Sequence, residues 1–174
     1  MYEDNNYLAH YGILGMKWGV RRYQNKDGSL TSAGKKRAQK DVDELSNAMS
    51  KHLDSTNDFQ RSLKKRYLVD ENGNNRYASD GKGYFDPRGG LTIYDNNKLT
   101  TKNQNERSYL DVKKLMESRY DSVKVDAKYD IQTGKASSKI ILEKHGEQFV
   151  SEFSRDYGQF NTSKQVEFVP MYKR

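Results

Sequence analysis

The sequence predicts an α+β protein: a turn-rich N-terminal module, a long amphipathic helix, and a small C-terminal domain with one helix and an antiparallel sheet of three or four strands. Three observations carry this prediction. Apolar residues from Val42 onward recur at helical spacing. Val123 to Ile131 alternates strictly between apolar and charged residues, as a half-buried strand does. Between these patterns lies a stretch crowded with glycine and asparagine, the chemistry of turns.

Residues 1–32 form a basic, aromatic module. Tyr11, Ile13, Leu14, Met16 and Trp18 stand among Gly12, Gly15 and Gly19. That glycine density opposes a stable helix and favours a compact knot anchored by Trp18, the only tryptophan. Asn25-Lys26-Asp27-Gly28 is a turn signal, and Thr31 and Ser32 offer hydroxyls to cap a helix. The helix is predicted over residues 33–67. Val42, Leu45, Met49, Leu53, Phe59, Leu63 and Tyr67 follow its seam, which His52 and Thr56 interrupt. So polar a helix gains little alone, and its stripe is expected to pack on another chain or on the later domain.

Residues 68–107 read either as an irregular connector or as a β-ribbon with long turns. Gly90 to Tyr94 is a short strand candidate, ended by Asp95-Asn96-Asn97. The α+β domain is predicted over residues 108–174. Ser108 caps a helix to Tyr120, with Leu110, Val112, Leu115 and Met116 on one side. The alternating strand follows, then a turn at Gln132 to Lys135 and a return strand from Ala136 to Lys144 with Ile140 and Leu142 inward. Glu147 to Tyr157 fits strand or helix, and strand is preferred. A further strand is expected at Gln165 to Tyr172, with Val166 and Phe168 inward and Pro170 holding it to an edge.

Composition sets limits on function. Of 174 residues, 33% are apolar and 32% charged, which restricts the core to part of the chain. Thirteen tyrosines suit half-buried sheets and interfaces. Without cysteine there is no disulfide, thiolate metal site or cysteine nucleophile. The first dozen residues lack a signal peptide's basic and apolar regions, and no apolar run approaches the roughly 20 residues of a membrane span. The net charge of +7 is weighted towards the N-terminus, where residues 1–40 hold eight Lys or Arg against three Asp or Glu. Such an arm suits an acidic protein surface or nucleic acid, or simply aids solubility.

Catalytic patterns do not emerge. His10, His52 and His145 are far apart in sequence, without paired-ligand spacing. Asp70, Asn72 and Asn74 mimic the first ligands of a calcium loop, but Asn75 stands where glycine is required. Gly81-Lys82-Gly83 and Arg88-Gly89-Gly90 lack the context of a phosphate-binding loop. Glu147, Glu152, Asp126 and Asp130 read as cross-strand partners of lysines. The expectation is a protein with no catalytic residue, no metal and no cofactor, hence no enzyme.

The string from His10 to Arg37, HYGILGMKWGVRRYQNKDGSLTSAGKKR, resembles a short module of proteins from tailed phages and prophages of low-GC Gram-positive bacteria. Its pattern there is HYGxxGMKWGxRRYQNxDGSLTxAGKKR. Ile13-Leu14 replaces a Val-Lys type pair, removing one positive charge. The resemblance implies a bacteriophage or prophage virion protein, structural or active in head morphogenesis, located in the virion or the host bacterial cytoplasm. Physically, Tyr11, Met16, Trp18 and Tyr23 would dock into another phage structural protein, with Lys17, Arg21, Arg22, Lys35, Lys36 and Arg37 as a basic rim. In the plainer alternative, Trp18 and Tyr11 cap the chain's own helix. Two other functions fit the residues. One is DNA binding, with the rim on phosphates and Trp18 and Tyr23 on bases. The other is inhibition of a host protein. The interrupted helix seam predicts a monomer or weak oligomer.

Overall fold

The computed structural model describes residues 22–69, 75–76, 85–86, 90–161 and 165–170. The fold is α+β, with helices and sheets in separate stretches of the chain.

Helix α1, Ser32–Ser62, starts where the cap chemistry places it: the Thr31 hydroxyl accepts from the Gly34 N–H at 3.1 Å. Ala38, Val42, Leu45, Met49 and Leu53 are buried along one stripe. The helix does not reach Tyr67. Leu63 turns extended at its C-cap, and Lys64–Val69 forms strand β1. Helical spacing at Leu63 and Tyr67 is overridden because β1 gains ladder partners on both sides, which no continuing helix could offer.

β1 belongs to a small mixed sheet with β2 (Asn75–Arg76), β3 (Phe85–Asp86), β4 (Gly90–Ile93) and a strand from the end of the chain, β8 (Val166–Pro170). The segment predicted as Gln165 to Tyr172 is therefore a strand, but it does not extend the hairpin sheet. It runs parallel to β1, with Pro170 opposite Val69. Val166 is 39% exposed rather than inward, and the side chain of Phe168 lies outside the described residues.

Helix α2, Asn96–Arg119, begins well before Ser108. Asp95, read from the sequence as ending a strand, also caps this helix: its carboxylate accepts from the N–H groups of Asn97 and Lys98. The first turns carry no apolar stripe, so periodicity cannot reveal them. Local bonds support them instead, with Thr100 and Thr101 hydroxyls donating to Asn96 and Asn97 carbonyls and Lys102 paired to Glu106 at 3.0 Å. The inward stripe is Tyr109, Val112 and Met116, while Leu110 and Leu115 are 43% and 41% exposed.

β5 (Ser122–Asp130), β6 (Lys135–Lys144) and β7 (Glu147–Asp156) form a three-stranded antiparallel sheet in sequence order. Alternation sets its faces: Ala136, Ile140 and Leu142 are buried beside Val123, Val125 and Phe149. The strand reading of Glu147 to Tyr157 holds. On the solvent face Lys139 meets Glu152 directly across the ladder at 2.5 Å.

The stripe of α1 closes over this face, so Val42, Leu45, Met116, Ile140 and Leu142 share one core. The long helix and the C-terminal sheet are thus folded together, and the stripe is spent within the chain. Among the described residues no helix is long and apolar enough to cross a membrane.

Candidate partner-binding surface

The second half of the N-terminal module is a turn fastened to the start of α1. Asn25 to Ser29 closes on itself: the Gly28 N–H donates to the Asn25 carbonyl, the Asn25 N–H to the Ser29 carbonyl, and the Ser29 N–H and hydroxyl to one oxygen of Asp27. Those bonds, the Ser29 hydroxyl foremost, hold the Asp27 carboxyl below its usual range. Gly28 has a φ of +89° and the imidazole of His145 occupies the space a side chain there would need. Thr31 then ties the ends together, its N–H donating to the Tyr23 carbonyl and its hydroxyl to the Arg22 carbonyl.

This fastening places Arg22 and Tyr23 over the first turns of α1. The guanidinium carbons of Arg22 and Arg37 lie 5.4 and 5.0 Å from the Tyr23 ring centre, within cation–π range. Together with Leu30, Arg119, Tyr120 and Lys144 they line a basin of about 380 Å³. At its base is the carboxylate of Asp41, 8% exposed. It accepts from the Tyr120 hydroxyl at 2.9 Å and pairs with Arg119 at 3.5 Å and Arg37 at 4.0 Å. Burial first, and then this carboxylate, push the Tyr120 hydroxyl well above its usual pKa, so the ring stays neutral. A neighbouring concavity continues along Lys36, Lys40 and Leu115.

Of the predicted site residues, Tyr11, Met16, Lys17, Trp18 and Arg21 lie outside the described residues. Arg22, Tyr23 and Arg37 come together, and Lys36 lies beside them. Lys35 instead pairs with Glu147 at 2.9 Å, fastening the helix start to β7. Asp41, Arg119, Tyr120 and Lys144 carry no local signal for a site, since they reach the basin only through the packing of α2 and the sheet on α1. His10 lies outside the described residues, and among the described residues no group of three or more His, Asp or Glu side chains is placed to hold a metal ion.

Residues 3–25 match a family of unknown function (DUF7211). That match lies within the N-terminal module and ends at Asn25, where the fastened turn begins. No curated protein and no solved structure matches the chain.

What the basin offers chemically is recognition. Its cations surround two tyrosines, its single carboxylate is already shared among three donors, and its mouth is open to solvent. Such a surface suits an acidic group presented beside an apolar one.

Proposed function

We propose that this chain is a non-enzymatic structural or assembly protein of a tailed phage, and that the Tyr23 basin is where it grips another phage protein. The carrying observation is the gathering of Arg22, Arg37, Arg119 and Lys144 around Tyr23 and Tyr120, with Asp41 buried and neutralised below. The phage setting rests on the resemblance of residues 10–37, whose second half builds one wall of this basin. The partner is a protein segment with acidic side chains flanking an apolar one. Arginine at the rim steers and orients it, and the tyrosines supply contact area.

The test is incorporation into particles. Phage carrying the Arg22→Glu or Tyr23→Ala variant should yield purified particles, or assembly intermediates, with about tenfold less of the protein by quantitative mass spectrometry. Both variants incorporated at full occupancy would remove the basin as the grip. A wild-type chain missing from all assembly species would remove the assembly role itself.

The cations also favour nucleic acid as a second reading. Against it, Tyr23 already carries two guanidiniums near its ring, which compete with a stacking base. DNA retention that falls steeply with added salt would support that reading.

A further inference from the structure

β7 is an edge strand of ten residues, and among the described residues no strand pairs with its outer side. The other edge of this sheet is guarded: β5 sets Lys124, Asp126, Lys128 and Asp130 along its solvent face, a pattern that repels a further strand. β7 instead divides its charges between both faces, Glu152 and Asp156 on this one and Glu147 and Arg155 on the other, and leaves apolar side chains open between them. On the same face Val150 is 39% exposed beside Ile141, and on the opposite face the side chain of Phe153 is only partly buried.

We propose that β7 pairs antiparallel with β7 of a second copy of this chain, about a two-fold axis at Ser151, doubling the three-stranded sheet. The residues themselves select this register. With Ser151 on the axis, Phe149 faces Phe153 of the second copy, and Glu147 faces its Arg155. Symmetry makes each pair twice, and Val150 of the two copies become diagonal neighbours, covering the exposed apolar site. Centring on Glu152 instead would set that carboxylate against its own copy and Phe149 against Arg155. Centring on Val150 would set Glu147 against Phe153. Glu147 and Arg155 remain available, with side chains 37% and 47% exposed despite their contacts to Lys35 and Asp54.

Sedimentation equilibrium on the full chain, from about 1 to 300 µM, tests this pairing. The wild type should show a monomer–dimer equilibrium. Glu147→Arg and Arg155→Glu should each weaken it about tenfold, and the double variant should return to within about threefold of wild type. Lys35→Ala, which removes only the intramolecular partner of Glu147, should leave it unchanged. Val150→Lys, at a position 39% exposed, should abolish it. A monomer throughout the range, a dimer indifferent to both single reversals and to Val150→Lys, or a double variant as weak as the singles would overturn the proposal.

Discussion

The carbonyl oxygen of Tyr23 lies 2.1 Å from the point where a β-carbon on Gly34 would stand, too close for both to fit. Helix α1 therefore carries a glycine in its first turn for a tertiary reason, although alanine there would favour the helix by about 1 kcal/mol. The basin's Tyr23 is positioned by this contact, since the same carbonyl accepts from the Thr31 N–H. Gly34→Ala should destabilise the protein by about 1–3 kcal/mol in urea or thermal unfolding, because the obstructing atom is backbone and cannot swing aside. A stabilised variant would show that the turn is not held against the helix.

Thr31 serves two structures with one hydroxyl, accepting from Gly34 and donating to the Arg22 carbonyl. Thr31→Ala loses both and should cost about 1–2 kcal/mol. Thr31→Ser retains both partners and should lie within about 0.5 kcal/mol of wild type in the same unfolding measurement. Equal losses in the two variants would assign the effect to the methyl group instead.

Asp41 and Tyr120 are joined by a hydrogen bond in the floor of the basin, 79 positions apart in the chain. Tyr120→Phe should cost about 1 kcal/mol, the usual worth of one such bond. Asp41→Ala should cost about 2 kcal/mol, since Arg37 and Arg119 lose a shared partner yet stay partly solvated. In the double variant the losses should be less than additive, as residues of one network are. Additive losses would separate the two residues energetically.

These relationships differ in how far the chain announces them. The start of α1 is legible because Thr31 and the stripe from Val42 to Leu53 are local, and the β5–β6 hairpin because its alternation is. The end of α1 is not, because β1 is chosen by pairing with β8, whose residues lie about a hundred positions later. The first turns of α2 escape notice because a helix polar on every side has no period to read. The basin is half legible: Arg22, Tyr23 and Arg37 stand out as residue types, whereas Arg119, Tyr120 and Lys144 acquire meaning only when α2 and β6 pack beside them.

His52 lies between α1 and α2, its ring stacked on Tyr109 at 5.9 Å and its Nδ1 buried without a hydrogen-bond partner among the described residues. Burial lowers its pKa from the ordinary 6.5, and Lys102 adds to this, while Glu106 opposes it. The folded protein therefore binds this proton less readily than the unfolded chain does. Above pH 6.5 the ring is neutral in both states and adds no pH dependence, and stability falls as the pH drops through 6.5 towards the lowered folded value. Asp121 and Asp130 behave differently: hydrogen bonds hold their folded pKa values below 3.8, so their contribution is lost only in stronger acid. The His52 window therefore opens at the higher pH. Urea unfolding from pH 7.5 to 5 should show wild-type stability falling relative to His52→Phe, which keeps a ring against Tyr109 and cannot titrate. If the two stabilities run parallel across that range, His52 is not the group responsible.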